Sequence, residues 1–137
     1  MQETAVRFAI CDDDKTYAEK MKALILQTFQ LPQPVECVIY LNQEQILKYY
    51  REDKIDIIFM DIEFGDVIGF QVARRLSMQD SQLAVVYMTN YEHYITEAFV
   101  CRPLGFIRKS HAEDDLQIAG QEIRRFIGQK YSRFVFG

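Results

Sequence analysis

Apolar residues along this chain follow two spacings. Short β-rich runs occur at Val6–Cys11, Val35–Leu41, Ile55–Met60, Leu83–Thr89 and Gly105–Arg108. The stretches between them place apolar residues three or four apart, the period of a helix with one buried face. Tyr17, Met21, Leu24, Ile25 and Thr28 share the first such face, which Pro32 and Pro34 end. Asn42, with Gln45 three residues on, signals a second helix striped by Ile46, Leu47 and Tyr50. A third follows Gly69 with Phe70, Ala73 and Leu76, and a fourth carries Tyr91, Tyr94, Ile95 and Ala98. Ser110-His111-Ala112-Glu113 reads as a capping box for a fifth, continued by Leu116, Ala119, Ile123, Phe126 and Ile127.

Five strand–helix units in succession predict an α/β fold: a parallel sheet with helices on both faces and right-handed crossovers. The run Ile55-Asp56-Ile57-Ile58-Phe59-Met60 is nearly all apolar, as a strand buried on both faces should be. In such sheets ligands bind beyond the carboxyl ends of the strands, where the strand order reverses. Residues 1–128 read as one domain. From Gly128 to Gly137 the helical spacing fades, and residues 129–137 read as the start of a linker or of a further strand.

A chain of 137 residues that is 49% hydrophobic and 26% charged has the material for one core and is not a disordered segment. The net charge of −4 argues against nucleic-acid binding by this piece, which needs an excess of Lys and Arg. The charge is uneven: residues 1–66 hold 13 acidic and 7 basic groups, and residues 67–137 hold 7 acidic and 9 basic. No apolar run approaches the ~20 residues of a membrane span. The opening Met1-Gln2-Glu3-Thr4 lacks the pattern of an export signal, so a cytoplasmic setting is expected. Cys11, Cys37 and Cys101 are odd in number and widely spaced, which suits free thiols better than a disulfide or zinc framework. Glycine-rich phosphate loops and the nucleophile elbow are absent.

The strand ends carry the candidate chemistry. The first strand runs into Asp12-Asp13-Asp14, the third into Asp61 with Glu63 and Asp66 beyond, the fourth ends in Thr89 and the fifth in Lys109. In a parallel sheet all of these lie along one edge. Converging carboxylates repel and raise one another's pKa unless a cation sits between them. A few oxygen ligands with room for water suit Mg²⁺. A hydroxyl and an ammonium alongside complete a site for a phosphoryl group, and Asp61 is the natural nucleophile. A single acid after a strand would more often be a helix cap, the role open to Asp14. Asp66 and Glu113 to Asp115 read as solvated loop or helix-start charges. The joint occurrence at four strand ends favours a site.

The motifs Ile10-Cys11-Asp12-Asp13-Asp14, Met60-Asp61-Ile62, Gly69-Phe70, Met88-Thr89 and Phe106-Ile107-Arg108-Lys109 follow in order over roughly residues 5–128. In this ordered set the chain resembles the receiver domains of two-component response regulators. Glu97-Ala98-Phe99 and Arg102-Pro103-Leu104-Gly105-Phe106-Ile107-Arg108-Lys109 are similar to receivers that precede LytTR-type DNA-binding domains, the accessory-gene-regulator A group. The resemblance implies a doubly wound, flavodoxin-like (βα)5 fold with strand order 2-1-3-4-5. It implies that Asp61 accepts a phosphoryl group from a sensor histidine kinase, and that Asp12, Asp13, Asp61 and the carbonyl of Glu63 hold Mg²⁺. Thr89 and Lys109 would bind the phosphoryl oxygens, and Phe106 would turn inward as Thr89 moves. The output face would hold Tyr91, Tyr94, Arg102 and Phe106. A homodimer on phosphorylation, and DNA binding only through a domain outside this chain, belong to the same implication.

The chain departs from the family pattern at three places. Ser110 replaces the usual Pro after the lysine, Gly65 replaces a Pro four residues after the phosphoacceptor, and Asn90 is larger than the usual neighbour of the threonine. Gly65 should loosen its loop. Ser110 is free to cap the fifth helix, and Asn90 should slow access to the phosphoryl group.

Two rival readings stand beside this one. Asp12-Asp13-Asp14-Lys15-Thr16 also fits D-x-D-x-T of haloacid-dehalogenase-type phosphatases, with Asp12 as nucleophile and Asp14 as acid, but no later acidic metal motif follows. A receiver-like module that works unphosphorylated is disfavoured by the full acidic set.

Overall fold

The structure is a computed structural model that describes residues 4–136, with side chains to residue 132. The opening Met1 to Glu3, and the tail side chains from residue 133 on, lie outside the described residues. In chain order the elements are β1 (Val6–Cys11), α1 (Lys15–Thr28), β2 (Val35–Tyr40), α2 (Gln43–Tyr49), β3 (Ile57–Asp61), β4 (Glu63–Phe64), β5 (Val67–Ile68), α3 (Gly69–Gln79), β6 (Val85–Thr89), α4 (Ile95–Val100), β7 (Gly105–Arg108) and α5 (Ala112–Phe136). Short 3₁₀ turns at Glu92–Tyr94 and Lys109–His111 lead into α4 and α5.

The main sheet is parallel in the order β2-β1-β3-β6-β7. With the small hairpin β4–β5 left out, this is the expected order 2-1-3-4-5. Alternation along the central strand builds two cores. Ile57 and Phe59 face a cluster with Phe8, Ile10, Met21, Ile25, Phe29, Leu116 and Ile123, on the side of α1 and α5. Ile58 and Met60 face the other, with Ile46, Ile62, Val72, Leu76, Tyr87 and Ala98, on the side of α2, α3 and α4. Side chains such as Phe59, wholly buried, contribute about 1.5–3 kcal/mol each.

Local signals fix the helix starts. Asp14, in extended conformation, accepts the Tyr17 N–H at 3.2 Å and begins α1. Asn42 accepts the Gln45 N–H at 3.0 Å while the Gln45 side chain accepts the Leu41 N–H at 2.7 Å.

Four expectations change. Ile55 and Asp56 precede β3 rather than open it, because the Asp56 side chain accepts the Arg7 N–H at 2.9 Å. The loop around Gly65 is a paired hairpin, with Glu63 opposite Ile68 and Phe64 opposite Val67. Gly65 sits at φ 65°, as the first position of a Gly-led two-residue hairpin loop requires. Ser110 lies in the 3₁₀ turn, and its hydroxyl bonds the His111 ring at 2.9 Å rather than serving as the predicted box. Finally, α5 runs on through Phe136 where the spacing fades, because Ile127 and Tyr131 continue its buried face. Tyr131 donates to Asp56 and Lys130 Nζ lies 2.6 Å from the same carboxylate.

Candidate functional site

Strand register assembles the site. Cys11 pairs with Met60, so the next residues, Asp12 and Asp61, emerge side by side at the point where the strand order reverses. Asp61 pairs with Met88, which places Thr89 one step beyond. Thr89 pairs with Arg108, which places Lys109 one step further. The alignment turns four distant sequence positions into one cluster at the carboxyl edge.

Asp12 is fully buried and Asp61 nearly so, whereas Asp13 is exposed. One oxygen from each lies within 4.8 Å of the others. Lys109 Nζ stands 2.7 Å from Asp12 Oδ2 and 3.0 Å from Asp61 Oδ2. Each carboxylate is also tied to its own loop. Asp12 Oδ1 accepts the Asp14 N–H at 2.9 Å, and Asp61 Oδ1 accepts the Glu63 N–H at 3.1 Å. Glu63 turns its side chain to solvent.

Burial first, then the Asp12 carboxylate, pushes the Asp61 carboxyl up to about 7, against the pull of Lys109 and the Glu63 N–H. Burial disfavours the Lys109 ammonium, but the paired Asp12 carboxylate and the charge of Asp61 outweigh it and hold its pKa above the usual value.

Asp12 Oδ2 is the test of whether a cation fits. Among the described residues it is the buried side-chain oxygen left without a hydrogen bond, since Lys109 sits at ion-pair distance but not in hydrogen-bond alignment. A buried carboxylate oxygen with an ion pair but no hydrogen bond, beside two further carboxylates, is the donor set of a hard divalent cation.

Thr89 is buried, but its hydroxyl is occupied: it accepts the Tyr91 N–H at 2.9 Å and donates to the Tyr91 carbonyl at 3.3 Å. Phe106 is half-buried on β7 and its ring lies 5.2 Å from the ring of exposed Phe99. Asn90 is exposed. Asp14, the acid of the phosphatase reading, is committed to the cap of α1 and stands outside the carboxylate cluster.

Two residues named in the sequence have roles near the site that the sequence does not reveal. Asp115 is a buried partner of Arg108, accepting its N–H at 2.8 Å, Nε at 2.9 Å and a terminal nitrogen at 2.9 Å. The seven-residue separation gives no periodic signal for that pairing. Gly69 lies against the phosphoacceptor strand. A Cβ there would stand 2.3 Å from the Asp61 carbonyl oxygen.

A family model for the response regulator receiver domain matches residues 8–120. The sensory transduction protein LytT of Oceanobacillus iheyensis is 25% identical over 130 residues, covering 93% of this chain and 52% of that protein. The sensory transduction protein LytR of Streptococcus mutans is 29% identical over 118 residues, covering 85% and 47%. The positive alginate biosynthesis regulatory protein of Pseudomonas aeruginosa is 28% identical over 118 residues, covering 85% and 46%. The chain thus spans about half the length of the curated relatives it matches. Among solved structures, the Thermotoga maritima response regulator TrrA, in complex with Mg²⁺–BeF, superposes with a TM-score of 0.72 at 21% identity, covering 88% of this chain and 98% of that one. A signal receiver domain from Vibrio parahaemolyticus gives 0.75 at 16% identity, covering 100% and 99%. These two likenesses bear on the fold. With the family model spanning most of the chain, the protein belongs to the response regulator receiver domain family.

Proposed function

We propose that Asp61 is the phosphoacceptor of this receiver, supplied by a phosphohistidine on a sensor histidine kinase. The observation that carries this reading is Lys109 Nζ set 2.7 and 3.0 Å from Asp12 and Asp61 within one three-carboxylate cluster. An Asp61 carboxylate oxygen attacks phosphorus, the P–N bond breaks, and an acyl phosphate forms as the imidazole leaves with the bonding pair and takes a proton. Asp12, Asp13, Asp61 and the Glu63 carbonyl would hold Mg²⁺, which supplies charge neutralisation for the clustered carboxylates and the phosphoryl oxygens. Lys109 gives the fixed positive charge next to those oxygens.

A phosphoryl group adds about −1.5 to −2 charges and three acceptors. Thr89 would then exchange its bonds to Tyr91 for one to a phosphoryl oxygen, and Phe106 would leave Phe99 and turn inward. Such a switch biases a pre-existing equilibrium by about 1–3 kcal/mol. The face bearing Tyr91, Tyr94, Arg102 and Phe106 would carry the change outward, to a second copy of the chain and to a LytTR-type DNA-binding domain in a longer protein. The likeness to LytT and LytR supports that last step. Among the described residues no helix is long and apolar enough to cross a membrane, in line with a cytoplasmic site of action.

The test is incubation with acetyl phosphate and Mg²⁺, read by intact mass, with Asp61→Ala alongside. One phosphoryl group on the wild type and none on the variant is expected. Label that survives in Asp61→Ala, or that turns over rapidly through Asp12, would overturn the reading in favour of a phosphatase.

A further inference from the structure

We propose that Tyr17 is a positioning residue for phosphoryl transfer, holding the Lys109 ammonium on Asp12 and Asp61; this rests on the reading of Asp61 as phosphoacceptor. Lysine is a point charge on a flexible four-carbon stem, so its position at a site must be imposed by neighbours. Here Lys109 belongs to a 3₁₀ turn rather than to the strand before it or the helix after it. Its ammonium lies 4.7 Å from the centre of the Tyr17 ring. The Tyr17 hydroxyl also donates to the Lys109 carbonyl at 3.4 Å, a long bond that pins the turn more than the charge. With the side chain only 9% exposed, an aromatic face is a stronger partner for the cation than it would be in water.

Tyr17 is itself tied to the carboxylates. Its N–H donates to Asp14 Oδ1 at 3.2 Å, and the Asp14 N–H donates to Asp12 Oδ1 at 2.9 Å. Asp12 in turn pairs with Lys109. The contacts close a circuit from Asp12 through Asp14 and Tyr17 to Lys109 and back. The turn that begins α1 therefore sets both the buried carboxylate and the face on which the ammonium rests. Leucine or methionine at position 17 fills space but offers no negative ring face, whereas phenylalanine keeps it.

The experiment compares phosphorylation of the full chain, wild type and variant, by acetyl phosphate with Mg²⁺. Rate constants are taken at saturating donor. Tyr17→Phe is expected to stay within about twofold of wild type, and Tyr17→Leu to fall by about three- to thirtyfold, the range of a cation–π contact at a partly desolvated site. In a Lys109→Met background the further loss from Tyr17→Leu should disappear, because its effect passes through the lysine. A merely structural role would leave the same factor in both backgrounds. If Tyr17→Leu does not fold, Tyr17→Met repeats the comparison. Wild-type rates in the leucine or methionine variant, or an equal loss with and without Lys109, would overturn the proposal while Asp61 labelling stands. Failure of the wild type to label at Asp61 would instead remove the reading beneath it.

Discussion

The Tyr131 hydroxyl donates to Asp56 Oδ2 over 2.8 Å, fastening the far end of α5 to the residue just before β3. This junction lies at the amino edge of the sheet, opposite the carboxylate cluster. Asp56 also accepts the Arg7 N–H at 2.9 Å and pairs with Lys130 at 2.6 Å, so its buried charge is shared among three donors. Tyr131→Phe removes one of them and leaves the ring in place. The expected cost is about 1–2 kcal/mol, a drop of about 3–6 °C in the thermal midpoint. Phosphorylation at Asp61 should be unchanged. A midpoint within about a degree of wild type would show that the bond adds no net stability.

Gly69→Ala should damage the site from behind. The new Cβ would meet the Asp61 carbonyl oxygen at 2.3 Å and Met60 Cγ at 2.8 Å, while the Gly69 N–H is held by the Ile62 carbonyl at 2.6 Å. Backbone must move, at a cost of about 1–3 kcal/mol, and Asp61 moves with it. Gly65→Ala is the contrast. It has open space but φ 65°, so it costs about 1–2 kcal/mol of backbone strain at the hairpin tip. Intact-mass kinetics with acetyl phosphate should show slower labelling for Gly69→Ala than for Gly65→Ala at matched folded fraction. The reverse order would mean that the hairpin, not the close approach, sets the Asp61 geometry.

Period and register explain what was legible in the sequence. The helical stripes and the buried run ending in Asp61 fixed the unit order, and parallel pairing then brought Asp12, Asp61, Thr89 and Lys109 together. The hairpin has a local signal of its own: Gly65-Asp66 between Phe64 and Val67 is a two-residue turn pattern. The extension of α5 was hidden because its buried face thins to Ile127 and Tyr131, and its anchor, Asp56, lies far away in sequence. Asp115 looked like a helix-start charge because nothing local reveals that Arg108 folds back onto it.

That pair has its own pH signature. Hydrogen bonds from the Arg108 side chain, against the opposing effect of burial, hold the Asp115 carboxyl below its usual value of 3.8. A depressed acid stabilises the fold above its unfolded pKa and loses that contribution as pH falls through the folded one. Asp115→Asn should therefore lower the urea midpoint at neutral pH, and the gap to wild type should narrow as the solution is taken below about pH 4. A gap that does not change with pH would assign the loss to packing rather than to charge.

Asp61 has the opposite sign. Burial and the neighbouring Asp12 carboxylate lift its pKa from 3.8 to about 7. Between these values the folded chain holds a proton that the unfolded chain has released. Stability therefore falls as pH rises through that window and levels off above it, by up to about 1.4 kcal/mol per pH unit. In chelator, Asp61→Asn should relieve this cost, stabilising the fold by about 1–3 kcal/mol more near pH 8 than near pH 5. Mg²⁺ needs the ionised Asp61 carboxylate that the metal-free fold resists. Its thermal shift on the wild type should thus be large near pH 8 and small near pH 5, and should be lost in Asp61→Asn at both. An equal Mg²⁺ shift at the two pH values, or one that survives in Asp61→Asn, would place the cation away from this cluster.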